Sequence, residues 1–212
     1  DELGLMVWQE FPLSCNNYEG TPAYLRVLDQ ESRSIIRRVR RHACVVLWCG
    51  GNELFNSWSG MTDQSLAIRL LNRNCYELDP ARPFLATAPL MGMAHGPYWF
   101  KVPNTDEEVF QVFPGRGCTA YTEFGISAPA PVEVLRQTVP ESDLPPRPAD
   151  EPFESSRAKR AFGPHSNLDR GTSHREYFGD PNSLDQMVQR AQYLQGVGLQ
   201  FVFEEARRQR PR

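Results

Sequence analysis

The chain predicts a mixed α/β protein built on a parallel sheet and closed toward a (β/α)8 TIM barrel, and three observations carry that expectation. Short apolar runs alternate with segments of helical periodicity, the order in which strands and covering helices succeed each other in parallel sheets. Several runs, "VVLWC" most clearly, are apolar on both faces, as strands buried between layers are. The phosphate-binding pattern G-x-G-x-x-G is missing after the first strand, which argues against a doubly wound dinucleotide fold. A complete barrel of this kind needs about 250 residues. The 212 residues hold about five strand candidates, so the expectation is an incomplete barrel.

Taken in order, residues 5–7 form a short apolar strand that runs into Trp8-Gln9-Glu10-Phe11 and stops at Pro12. Residues 23–41 read as a helix with Leu25, Leu28, Ile35, Ile36 and Val39 on one face and "RRVRR" on the other, a solvated basic surface. The strand "VVLWC" follows and ends at Gly50-Gly51. Residues 64–78 form a second amphipathic helix, and prolines bound a strand at 84–87. The loop "LMGMAHGPYWF" occupies the place where a further strand should end, and 118–124 is a strand stopped by Gly125. Residues 129–170 read as a Pro-rich excursion within a domain that spans 1–212. Ser183-Leu184-Asp185-Gln186 has the form of a capping box. It opens a long helix that Gly196 and Gly198 are expected to interrupt before it resumes at 201–208.

Composition narrows the function. The chain is 40% hydrophobic and 23% charged with a formal charge of -3, the wrong sign for nucleic acid as main partner. No apolar run approaches the roughly eighteen residues of a membrane span. Five scattered cysteines read as free thiols rather than a disulfide framework. The four histidines show no ligand spacing, so no metal site is expected. The start "DELGLMVW" lacks an initiator Met, so the chain reads as an excerpt, with any targeting signal outside it.

Side chains at the C-terminal ends of barrel strands build the active sites of parallel α/β barrels. Here Glu53 lies just past "CVVLWCGG", Glu123 ends "CTAYTE", and Trp8 with Gln9 and Glu10 follows "LGLMV". His95, Tyr98 and Trp99 occupy the loop before Phe100. One glutamate after a strand is usually a solvated loop residue, Trp48 is core by bulk, and Cys44 and Cys49 sit in an apolar run as inert thiols. Two carboxylates framed by aromatics and amides are different. Aromatic faces stack on sugar rings, and a carboxylate pair is the minimum equipment for glycosidic cleavage.

The segments "DELGLMVWQEFP", "VVLWCGGNE" and "YTEFG" resemble, in order and spacing, family two glycoside hydrolases, most closely the β-mannosidase-like branch. "LDPARP" and "SLDQMVQRAQYLQGVGLQFVFEEARR" extend the likeness to about Arg208. The resemblance implies that strands three to seven of the barrel are present, with Glu53 ending strand four as acid/base and Glu123 ending strand seven as nucleophile. It also implies that Asn52 binds the sugar 2-hydroxyl, that Trp8 walls the subsite of the non-reducing sugar, and that His95, Tyr98 and Trp99 contact substrate. The remaining barrel strands and N-terminal β-sandwich domains would then lie outside this chain.

The implied activity is a retaining exo-β-glycosidase acting on a β-linked oligosaccharide or glycoside, without metal or organic cofactor. Retention places the two carboxyl groups about 5–5.5 Å apart. β-Mannosidase is favoured, but "HGPYWFKVPN" is closer to exo-β-glucosaminidase relatives, and "EFGISAPAP" departs from the usual continuation. These departures bear on the sugar, with galactosidase- or glucuronidase-type substrates as further alternatives. The reading from another class is a catalytically silent carbohydrate-binding barrel fragment. Such a chain would be expected to have lost one carboxylate, and both are present.

Overall fold

A computed structural model describes residues 1–102, 105–144 and 173–209. The chain divides into two compact units, 1–94 and 95–212.

The first unit is a three-stranded parallel sheet covered by two helices. Strands β1 (Val7–Glu10), β2 (Val45–Cys49) and β3 (Phe84–Leu85) lie in sequence order, with β2 in the centre. The register pairs Gln9 with Trp48 and Glu10 with Cys49, and on the other side Trp48 with Phe84 and Cys49 with Leu85. Central position explains the composition of β2. Trp48 and Cys49 are completely buried, and burial pushes the Cys49 thiol up to about 12.

Helix α1 (Pro22–Val39) starts where the sequence supplies its cap. The Thr21 hydroxyl accepts from the Tyr24 amide, and Pro22 occupies the first turn, where no amide hydrogen is required. Arg37 and Arg38 in the last turn sit at the negative end of the helix dipole, and both face solvent. Helix α2 (Leu66–Leu78) presents Ala67, Ile68, Leu71 and Cys75 to the core. These residues pack with Leu28 and Ile36 of α1 and with Val45 and Trp48 of β2.

A polar seam joins the two helices. Asp29 accepts from the buried Asn74 amide at 3.0 Å, from Arg33 at 3.1 Å and from Arg73 at 3.0 Å, while Arg33 also reaches Glu77 at 2.5 Å. At the other end of β2, the Trp48 indole donates to Asp79 at 2.9 Å, and Arg82 pairs with the same carboxylate at 2.7 Å. Both polar atoms of this buried corner are thereby satisfied.

The second unit opens in β4 (Ala94–His95), which pairs with β5 (Tyr121–Glu123). Around them lie α3 (Val109–Val112), α4 (Val132–Thr138), a 3-10 turn at Glu141–Asp143, α5 (Ser173–Phe178) and the 25-residue α6 (Leu184–Arg208). Helix α6 carries two cores. Its first turns bury Leu184, Met187 and Val188 against Leu135 and Val139, and its later turns bury Leu194 and Val202 with Phe100, Val109, Phe113 and Ile126. The Ser183 hydroxyl caps it, accepting from the Gln186 amide at 3.1 Å.

The expected strand spans shift by a few residues. β1 begins at Val7 because the preceding residues are exposed, and the strand at 118–124 narrows to Tyr121–Glu123. The expected break at Gly196 and Gly198 is corrected, because α6 runs through both. A Cβ on Gly198 would lie 2.7 Å from the Ile126 side chain, so this glycine allows close packing instead of ending the helix. Of the Pro-rich stretch, residues 129–144 include α4 and the 3-10 turn, and 145–170 lies outside the described residues. Among the described residues the strands form a three-stranded and a two-stranded sheet and do not close into a barrel.

Candidate active site

Glu53 is placed by a continuation of the sheet beyond β2. The Gly50 amide donates to Leu85 O, the Asn52 amide to Leu13 O, the Ala88 amide to Gly51 O and the Glu53 amide to Ala88 O, at 2.7 to 3.1 Å. The segments around Leu13 and around Leu85–Ala88 therefore grip it on both sides. Both glycines are required by that close approach. A Cβ on Gly50 would sit 2.4 Å from Ala86 O, and one on Gly51 would sit 2.2 Å from Leu13 O.

Glu53 itself has φ +52°, a left-handed conformation that costs a non-glycine residue roughly 1–2 kcal/mol. Fixed neighbours hold it there. Ser59 donates to its carbonyl at 2.7 Å, and the next residue, Leu54, is completely buried and donates its amide to Thr87. The turn lifts the Glu53 side chain out of the sheet, and it remains half-buried.

Around this carboxylate the first unit gathers Asn52 and Cys15. The Cys15 thiol lies 3.3 Å from Glu53 Oε2, and the Asn52 amide nitrogen lies 3.6 Å from the same sulfur. Cys15 also has a positive φ, +50°. Trp8 is half-buried on β1, opposite Leu47 of β2.

In the second unit, Glu123 ends β5. The Tyr98 hydroxyl donates to its Oε2 at 2.7 Å, and His95 Nδ1 lies 3.5 Å from the same oxygen. The His95 side chain is only 8% exposed, whereas that of Glu123 is 40% exposed and open to a ligand. Backbone pairing sets this arrangement. The Gly96 amide donates to Glu123 O at 2.8 Å and the Gly125 amide to Pro97 O at 2.9 Å, so the 95–98 segment runs beside the strand end. Arg116 donates to His95 O at 3.3 Å. Trp99 meets the Tyr98 ring edge-on, with centroids 6.2 Å apart.

The structure thus brings Asn52 and Glu53 together in one unit and His95, Tyr98 and Glu123 in the other. The Tyr98 hydroxyl, expected among the sugar contacts, donates to the Glu123 carboxylate. Sequence reading missed Cys15, Ser59, Thr87 and Arg116. A left-handed backbone at Cys15 leaves no mark in composition or periodicity, and the other three act through backbone or hydroxyl contacts that only the fold creates. The second unit also holds a cavity of about 580 Å³ lined by Cys118, Tyr121, Phe124, Phe203 and Arg207, among others. No group of three or more metal-ligating side chains occurs among the described residues.

A helix-covered parallel sheet with Glu53 just past its central strand has the layering of part of an α/β barrel. The chain is similar over 97% of its length to a crystal structure of β-D-mannosidase from Dictyoglomus thermophilum, with a TM-score of 0.69, 24% sequence identity and 26% of that chain covered. It is 43% identical over 53 residues to β-mannosidase B of Thermothelomyces thermophilus, covering 25% of this chain and 6% of that one. It is 29% identical over 107 residues to β-mannosidase of Mus musculus, covering 44% of this chain and 12% of that one. No protein-family model matches. The chain therefore spans a small part of the relatives it matches and has the fold of part of a β-mannosidase.

Proposed function

We propose that this chain supplies the catalytic carboxylates of a retaining exo-β-glycosidase of family two that acts on terminal β-mannosides. The observation that carries the reading is the pairing of Tyr98 with Glu123 at a strand end, an open carboxylate held by a buried framework. The β-mannosidase names of the relatives favour the sugar.

Glu123, ionised, attacks the anomeric carbon. The bond from that carbon to the leaving oxygen breaks, and a glycosyl ester forms on the carboxylate. Tyr98 donates to the oxygen it contacts and fixes the direction of the other. Glu53 gives its proton to the leaving oxygen. Water then enters, Glu53 takes one of its protons, and the oxygen displaces Glu123 from the sugar. Two displacements return the β configuration. Asn52 binds the 2-hydroxyl beside Glu53, while Trp8, Trp99 and His95 wall the sugar. Substrate is a β-linked oligosaccharide or glycoside.

The test is substitution in the full-length protein that carries this sequence. Glu123→Gln and Glu53→Gln should each abolish most hydrolysis of alkyl β-mannosides, and proton NMR should show β-mannose first. Undiminished turnover in both variants, or the α anomer first, overturns the reading.

A further inference from the structure

We propose that Cys15 is a positioning residue for the acid/base Glu53, its thiol selecting which carboxyl oxygen carries the transferable proton. The proposal rests on the acid/base reading of Glu53 given above. Three contacts converge on the Cys15 sulfur. Asn52 Nδ2 donates to it at 3.6 Å and Ser14 Oγ at 3.4 Å, while the thiol lies 3.3 Å from Glu53 Oε2. A thiol has one hydrogen to donate and a sulfur that accepts weakly. With two donors aimed at the sulfur, its own hydrogen is directed to the carboxylate.

The backbone keeps these atoms in register. Cys15 and Glu53 both have left-handed conformations, φ +50° and +52°, which are uncommon for residues other than glycine, asparagine and aspartate. The Cys15 amide donates to Asn52 O at 2.9 Å, and Ser14 and Asn52 form a parallel bridge. The two strained residues therefore face each other across one fixed pair of strand extensions. Strain of this kind persists where surrounding structure over-determines it, and it concentrates at functional sites.

The chemical consequence is specific. A protonated carboxyl carries a single hydrogen, on either oxygen. When the thiol donates to Oε2, that oxygen serves as acceptor and the proton resides on Oε1. Glu53 then delivers from Oε1 to the leaving oxygen and later recovers a proton from water at Oε1. The thiol hydrogen stays on sulfur throughout. Asn52 Nδ2 carries two hydrogens, so its contact with sulfur leaves the other for the sugar.

The discriminating readout is dependence on the leaving group. A poor leaving group needs the acid, whereas a good one departs without it. In the full-length protein, kcat/KM is measured for methyl β-D-mannoside and for 2,4-dinitrophenyl β-D-mannoside, with Cys15→Ala, Cys15→Ser and Glu53→Gln. Cys15→Ala should lose roughly five-fold on the methyl glycoside, the order of one hydrogen bond between neutral groups, and about two-fold or less on the dinitrophenyl glycoside. Cys15→Ser, which keeps a donor, should restore most of that loss. Cys15 is exposed, so neither change opens a core cavity. Equal losses on both substrates, no loss on either, or a serine variant as impaired as alanine overturns the proposal. If Glu53→Gln itself shows no leaving-group dependence, the acid/base reading fails and the proposal with it. If Glu53→Gln shows the dependence and Cys15→Ala does not, only the positioning role fails.

Discussion

The Tyr98 hydroxyl donates to Glu123 Oε2 at 2.7 Å, with His95 Nδ1 3.5 Å from the same oxygen. A donor this close holds a carboxylate in one orientation. Removing it while keeping the ring should therefore cost rate rather than fold. Tyr98→Phe is expected to lower kcat/KM for aryl β-mannosides by about 10- to 100-fold, the range for losing one hydrogen bond to a charged group. Its melting temperature should stay close to the parent's. An undiminished kcat/KM would remove Tyr98 from the mechanism.

The glycine pair that precedes Asn52-Glu53 gives a structural counterpart. A Cβ on Gly51 would meet the Leu13 carbonyl at 2.2 Å, and its φ is +155°. The backbone cannot accommodate alanine there without separating two hydrogen-bonded segments. Gly51→Ala should lower stability by about 2–4 kcal/mol, within the range for backbone clashes and strain, and should displace Glu53 as well. Urea unfolding together with activity checks both effects.

Helix α6 supports an opposite pair. Gly196 lies mid-helix, and a Cβ there would find nothing within 4 Å. Gly196→Ala should stabilise by roughly 0.5–1 kcal/mol through helix propensity. Gly198→Ala gains the same propensity but meets Ile126 at 2.7 Å. Its midpoint in denaturant should not rise.

The seam between α1 and α2 makes stability depend on acid. A hydrogen bond from Asn74 is the largest influence on the Asp29 carboxyl and, helped by the hydrogen bond from Arg33 and the charges of Arg33 and Arg73, holds it below its usual range against the opposing effect of burial. A lowered folded-state value means that the stabilisation is present above the unfolded value of about 3.9 and is lost as pH falls through the folded value. Asp29→Asn should therefore melt a few degrees below the parent near neutral pH, and the gap should narrow as pH falls from the unfolded value through the lower folded one. A gap that is constant with pH would assign the effect to packing.

Much of this arrangement is legible in the sequence, for identifiable reasons. "VVLWC" is apolar on both faces because β2 is the central strand, and Ser183 announces a helix start by cap chemistry. Glu53 and Glu123 stand out because one lies just past an apolar strand and the other ends one. Other features come from tertiary contact. Gly196 and Gly198 read as helix breakers, yet the surface against Ile126 and Phe100 selects for a missing side chain at 198. Tyr98 reads as a substrate contact, and the pairing of its hydroxyl with Glu123 comes only from the 95–98 segment running beside the 123–125 backbone. Cys15 reads as one free thiol among five, and the left-handed turn that carries it to Glu53 is set by pairing with Asn52, 37 positions away.

The central claim is that Glu123 forms the covalent intermediate. The most direct measurement is trapping with 2,4-dinitrophenyl 2-deoxy-2-fluoro-β-D-mannoside on the full-length protein, followed by intact mass and peptide mapping. The account predicts one 2-fluoromannosyl adduct, on the peptide containing Glu123, with activity lost in proportion, and no adduct in Glu123→Gln. An adduct on another residue, or inhibition without any covalent label, would contradict it.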